Sequence, residues 1–302
     1  MKPTHLKGIM PALMTGFTND HTAIDPDRIR SLVHFLIQKG VHGLYVGGSS
    51  GEMLLCSISE RMELLETVLT ETKAADHPVT VIAHVGCTNT MDTIALAKHA
   101  EKVGADALSS VTPLYFAYGF PEVKQFYQDI ASATSLPVII YNIPGRTGMS
   151  LNVDQLHELL SIPNVAGMKF TSSDFYQLER LITSNPDKIF YNGSDEMLLS
   201  GLAAGADGGI GTTYNFQPER MLTIYRLYQE GKMPEALAVQ RKANAAIEQV
   251  LKYGVLPACK EVLRIGGLDY GTCRAPFIPL NAKQISDLEK AIIQNMGMHY
   301  MR

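Results

Sequence analysis

Apolar positions along the chain fall into two alternating patterns. Short, nearly continuous apolar runs occur at 8–14, 43–46, 79–85, 107–111, 138–141, 165–170, 189–192 and 208–211. Runs of this length, apolar on both faces, predict strands buried on both sides of a sheet. Between them the apolar residues recur every three or four positions, which predicts helices at 27–39, 59–73, 90–103, 121–134, 152–160, 175–184, 197–204 and 218–230. The first helix shows the logic. Ile29, Leu32, Val33, Leu36 and Ile37 make one stripe, Asp25 stands at the N-cap, Pro26 in the first turn, and Gly40 just past the end. Ser57 and Glu60 have capping-box spacing ahead of the second.

Eight strand-then-helix units in a row imply parallel strands joined by crossover helices, and eight of them point to an α/β fold of the (β/α)8, or TIM-barrel, kind. Beyond residue 230 the strands stop. Three helices are predicted at 233–251, 255–265 and 282–294, so residues 1–230 read as the barrel and 231–302 as a C-terminal helical extension packed on it.

Composition narrows the function. The 302 residues carry 26 Lys plus Arg against 30 Asp plus Glu, a net charge of −4, which argues against a nucleic-acid partner. Apolar residues make up 46%, too many for a disordered chain. Cys56, Cys87, Cys259 and Cys273 are far apart and form no C-x-x-C pair, as expected in a reducing compartment. No signal peptide is evident at the N-terminus, and no apolar run approaches the roughly 20 residues of a membrane span. A cytoplasmic protein with no membrane partner is the expectation.

In a (β/α)8 barrel, chemistry sits at the carboxyl ends of the strands. Lys169 is the sharpest residue there. It stands inside the apolar run Val165-Ala166-Gly167-Met168-Lys169-Phe170, where burial favours the neutral amine, a nucleophile toward carbonyls. A strand-end lysine that snorkels to an ion-pair partner fits the local sequence equally well. Tyr141 shifts the balance, because it ends the preceding strand and would share one barrel mouth with Lys169, where a phenol can move protons. The loop Gly47-Gly48-Ser49-Ser50-Gly51-Glu52 offers hydroxyls and amides suited to a carboxylate or phosphate. Dinucleotide and P-loop patterns are absent, and the nine histidines have no metal-ligand spacing, so no metal is expected. His84 reads as a hydrogen-bonded core histidine.

Taken together, Gly47-Gly48-Ser49-Ser50-Gly51-Glu52, Tyr141-Asn142-Ile143-Pro144 and Gly167-Met168-Lys169 resemble the signature of the pyruvate-dependent class I aldolases. This is the dihydrodipicolinate synthase / N-acetylneuraminate lyase family, and the resemblance runs over nearly the whole chain. It implies a (β/α)8 barrel with C-terminal helices, a homotetramer, a small 2-keto acid substrate, and no cofactor beyond a covalent Schiff base on Lys169. It also implies Tyr141 as general acid/base, Ser49 and Ser50 around the substrate carboxylate, and Thr171, Gly193, Asp195, Glu196 and Thr212 along a polyhydroxyl tail. Tyr115 matches a loop tyrosine that approaches a neighbouring subunit's site. Residues 169–179, 191–196 and 208–215 resemble the lyase branch, whose reaction is reversible cleavage of N-acetylneuraminate to pyruvate and N-acetylmannosamine. Phe170 replaces the glutamate usual in the synthase. Arg146, in Pro144-Gly145-Arg146-Thr147-Gly148, resembles instead the synthase arginine that holds a substrate carboxylate. The synthase reaction, a 2-keto-3-deoxy sugar acid aldolase and a non-catalytic sugar-acid-binding barrel are the alternatives.

Overall fold

The protein was analysed as a computed structural model that describes residues 2–297; positions 298–302 of the expected extension lie outside the described residues. Eight parallel strands form the wall: β1 (Gly8–Pro11), β2 (Gly43–Val46), β3 (Thr80–His84), β4 (Ala107–Val111), β5 (Val138–Asn142), β6 (Val165–Phe170), β7 (Ile189–Asn192) and β8 (Gly208–Gly211). They pair in the order β1-β8-β7-β6-β5-β4-β3-β2. The ring closes between β1 and β2 through a parallel bridge from Ala12 to Tyr45. Two backbone bonds flank it, Leu13 N–H to the Tyr45 carbonyl (2.8 Å) and His42 N–H to the Ile9 carbonyl (3.1 Å). The result is a (β/α)8 barrel.

The first strand is shorter than its apolar run, because beyond the single bridge at Ala12 the chain bonds to loops instead. Met14 N–H donates to Asn215 Oδ1 and the Met14 carbonyl accepts from the Tyr270 hydroxyl.

The helices are α1 (Pro26–Gln38), α2 (Ile58–Lys73), α3 (Thr90–Val103), α4 (Phe120–Ser132), α5 (Pro144–Thr147), α6 (Val153–Leu160), α7 (Phe175–Ser184), α8 (Leu198–Ala203), α9 (Pro218–Gln229), α10 (Met233–Leu251), α11 (Val255–Ile265) and α12 (Ala282–Met296). Local chemistry sets their ends. Asp25 caps α1 by accepting from Asp27 and Arg28 amides, and Ser57 with Glu60 forms the reciprocal capping box of α2. Gly104, at φ 90°, ends α3 in the left-handed conformation that glycine adopts without strain. The single-turn α5 has no counterpart in the apolar pattern, since none of its residues is buried.

Two cores follow from the alternation of side chains. Met10, Ile82, Ile139, Ile189 and Ile210 fill the barrel interior, while the outward residues pack under the helices. The helical extension is tied to the barrel at its mouth. Gln240 of α10 donates to the Asp195 carbonyl (3.1 Å) and accepts from the Leu199 amide (3.0 Å), and Asn244 donates to the Glu196 carbonyl (3.1 Å). No helix among the described residues is long and apolar enough to cross a membrane.

Register is what aims the site. Tyr141 pairs with Lys169, and Lys169 with Tyr191, so three neighbouring strands bring these residues to one level. A register shift between Val138 and Ile139 lets β6 carry one extra residue, and Gly167 then lies against β7. A Cβ on Gly167 would overlap the Ile189 carbonyl, a backbone atom that cannot swing aside. We expect Gly167→Ala to destabilise the barrel by roughly 1–3 kcal/mol or more, read as a lowered urea midpoint at unchanged m-value. A wild-type midpoint would show that β6 and β7 yield easily here.

Candidate active site

The mouth of the barrel is built around one buried amine. Lys169 is only 4% exposed. Its Nζ lies 3.9 Å from the ring centroid of Tyr141 and 4.9 Å from that of Tyr45. Aromatic faces attract the cation without trapping it in a charge pair. Among the described residues no carboxylate forms an ion pair with it; the charges of Asp195 and Lys169 interact only at longer range. The sequence had left open a snorkelling lysine with a salt-bridge partner, and the geometry favours the buried amine.

Tyr141 and Tyr45 meet edge to face at 6.0 Å, and His84 lies edge-on to Tyr141 at 6.2 Å. Tyr45 donates to Ser109 Oγ at 3.0 Å, which fixes its ring. Burial, and then the charges of Arg61 and Lys169, hold His84 well below the usual imidazole range, so it is neutral. Its Nδ1 lies 3.3 Å from a guanidinium nitrogen of Arg61, and Nε2 accepts the Val111 amide at 3.3 Å. Arg61 braces this group from α2, donating to the carbonyls of His84 (2.7 Å) and Gly86 (2.9 Å). The expectation of a hydrogen-bonded core histidine holds, and its ring bonds run to Arg61 and to the end of β4.

In the 47–52 loop the amides of Gly51 and Met53 bond the Gly48 carbonyl, and the Glu52 amide bonds the Ser49 carbonyl. Those three amides are therefore spent within the loop. The loop still presents the hydroxyls of Ser49, half-buried, and Ser50, whose Oγ lies 2.6 Å from Thr212 Oγ1 across the mouth. Thr171 and Gly193 are also side by side: a Cβ on Gly193 would collide with Thr171 Oγ1. That hydroxyl is buried and makes no hydrogen bond among the described residues, and the same holds for the Thr112 hydroxyl just beyond β4.

The two acidic residues after β7 separate. Glu196 is exposed. Asp195 is buried, and its Oδ2 accepts from both the amide and the hydroxyl of Thr213 at 2.7 Å. Asp195 was expected to serve a ligand; both Thr213 bonds fall on one oxygen of its carboxylate and join the β7 and β8 loops. Tyr115 is 92% exposed with φ 78° and stacks edge-on against Phe116. Arg146 is exposed on α5, outside the ring of buried groups.

Comparison with known proteins fits this geometry. The family model described as the dihydrodipicolinate synthetase family matches residues 5–295. The chain belongs to that family. It is 42% identical over 295 residues to the N-acetylneuraminate lyase of Shigella boydii serotype 4, covering 97% of this chain and 98% of the relative. Among solved structures, a Clostridium difficile protein in complex with mannosamine superposes with a TM-score of 0.92 at 35% identity, over 96% of this chain and 99% of that one. The N-acetylneuraminate lyase of Fusobacterium nucleatum complexed with pyruvate gives 0.91 at 38% identity, over 98% and 99%.

For this member of the dihydrodipicolinate synthetase family, sequence reasoning missed Tyr45 and the Arg61–His84 brace. Tyr45 carried a usable signal: it is the one polar-tipped residue in Gly43–Val46, at the position that faces the barrel interior.

Asp195 gives a pH test. Burial pushes its carboxyl up from 3.8 to about 6, against the opposing Thr213 bonds. The folded state then holds a proton that the unfolded state has released between about pH 4 and 6, so this group's contribution to stability falls as pH rises through that window and is flat above it. Between pH 4.5 and 7 the wild type should lose on the order of 2 kcal/mol more stability than Asp195→Asn, measured by urea unfolding at both pH values. Parallel pH profiles would show that Asp195 titrates normally.

Proposed function

We propose that this chain is a class I aldolase that cleaves N-acetylneuraminate reversibly to pyruvate and N-acetylmannosamine through an imine on Lys169. The observation that carries the reading is the Lys169–Tyr141 pair: an amine with no ion-pair partner among the described residues, 3.9 Å from the centroid of a phenol ring. The relatives add to it, since one is solved with pyruvate and another with mannosamine.

The reaction follows from the groups at hand. Lys169 Nζ adds to C2 of the keto acid, and water leaves to give a protonated imine. Ser49 and Ser50 hold the carboxylate beside it. Tyr141, left as a phenolate once it has given its proton to the departing water, takes the proton of the C4 hydroxyl, with the substrate carboxylate or Ser49 as relay, as the C3–C4 bond breaks. The electron pair of that bond flows into the imine, forming an enamine and releasing the aldehyde. Protonation at C3 and hydrolysis return pyruvate and the free amine. The imine is the electron sink, so no metal or cofactor is required.

Thr171 and Thr212 line the path of the sugar chain beside Gly193, with Glu196 as the free carboxylate and Asp195 as the residue that sets the turn. Tyr115 and Phe116, 92% and 67% exposed on the loop after β4, are large apolar groups that support a subunit contact in a homotetramer. All four cysteines are free, which supports a reducing, cytoplasmic location. Arg146 favours a second reading, condensation of pyruvate with aspartate semialdehyde.

Borohydride added with pyruvate should fix a covalent adduct on the Lys169 peptide, and Lys169→Ala should lose both adduct and turnover. Active enzyme whose Lys169 peptide stays unmodified would sink the imine mechanism.

A hydrogen bond to a carboxylate contributes about 1.5–3 kcal/mol. Glu196→Ala should therefore lower kcat/KM for N-acetylneuraminate by roughly 10- to 150-fold while pyruvate still traps at the wild-type rate. A wild type that ignores N-acetylneuraminate and condenses pyruvate with aspartate semialdehyde would establish the second reading.

A further inference from the structure

The 47–52 loop ends on a residue with no local reason to be where it is. Glu52 has φ 56° and ψ 39°, the left-handed region that an acidic residue enters only under constraint. It is also buried, at 4% exposure, where a charge is costly unless paired. Its constraints come from the far end of the chain. Glu52 Oε1 lies 2.7 Å from Nζ of Lys260 on α11, with side-chain exposures of 0% and 1%. That oxygen accepts no hydrogen bond, so the contact is an ion pair of opposite charges off the hydrogen-bond direction. Glu52 Oε2 accepts from the backbone amide of Arg274 at 2.9 Å.

The partners are themselves held. Lys260 donates to the Thr272 carbonyl (3.0 Å) and sits 4.6 Å from the Phe17 ring centroid. Arg274 stacks on the same ring at 4.3 Å, donates to the Leu55 carbonyl (2.7 Å) and pairs with Glu60 (2.6 Å). Neither Lys260 nor Arg274 belongs to the barrel wall, and neither is among the groups that meet the substrate in the reaction above. Both act on the segment from Glu52 to Glu60, which leads directly out of Ser49 and Ser50.

We infer that Lys260 and Arg274 are positioning residues: through Glu52 the C-terminal extension clamps the loop that supplies the carboxylate-binding hydroxyls. The link to substrate rests on the aldolase reading; the clamp itself does not.

Lys260→Met alone would strand a buried carboxylate and risks unfolding. The test is therefore the neutral pair Glu52→Gln with Lys260→Met, which removes both charges and keeps the volume. In the folded double variant, amide hydrogen exchange at residues 51–55 should quicken at least about 10-fold, with core strands unchanged. The pyruvate concentration giving half-maximal borohydride trapping should rise about 10-fold, with the maximal trapping rate unchanged. A merely structural pair would lower the melting temperature and move neither readout. Either readout staying at its wild-type value in the folded double variant overturns the inference. If the wild type itself does not trap pyruvate, the aldolase reading falls, and loop exchange alone decides the clamp.

Discussion

An amine buried inside an apolar barrel imposes the central constraint on this structure. Lys169 is buried, and a buried ammonium ordinarily demands a carboxylate partner. Two tyrosine rings take that place. They contribute attraction to a cation when the amine is protonated and contact with little penalty when it is not. Much of the surrounding structure keeps those rings still. Ser109 anchors Tyr45, while the neutral His84 ring lies against Tyr141 and bonds Arg61 and the end of β4.

The helices after the barrel bear on the same requirement. A (β/α)8 wall fixes its strands well but leaves its loops to themselves, and the groups that would hold a substrate sit on loops. Here α10 holds the Asp195–Glu196 turn by its backbone carbonyls, and the segment around Lys260 and Arg274 holds Glu52. Asp195 then joins the β7 loop to that of β8 through Thr213. Precision at the mouth comes from these crossings.

The fold was legible in the sequence because its signals are local and repeated. Periodicity, N-caps and helix-ending glycines each speak within a few residues, and all eight strands lie where the apolar runs place them. The pairing of Tyr141 with Lys169 was legible too, since consecutive parallel strands deliver consecutive ends to one mouth. What stayed hidden is long-range or negative. Asp195 reads as a free acid until Thr213 is seen to bond one of its oxygens. Tyr45 reads as strand filler until its ring is found beside Lys169. Glu52 and Lys260 are separated by more than two hundred residues, and no spacing rule links them. The short α5 has no buried face and so leaves no trace in the apolar pattern.

The barrel's seam has a consequence for how the chain is made. β1 pairs with β8, and it meets β2 through one bridge and two flanking bonds. The first strand therefore waits, unpaired on one edge, until residues near 210 have left the ribosome, and the 47–52 loop waits longer, until Arg274 has emerged. Closure of such distant contacts is slow and leaves strand edges open meanwhile. An incomplete nascent chain can thus assemble most of its wall while lacking a set site, and activity should appear in synthesis as a late, single event rather than growing with length.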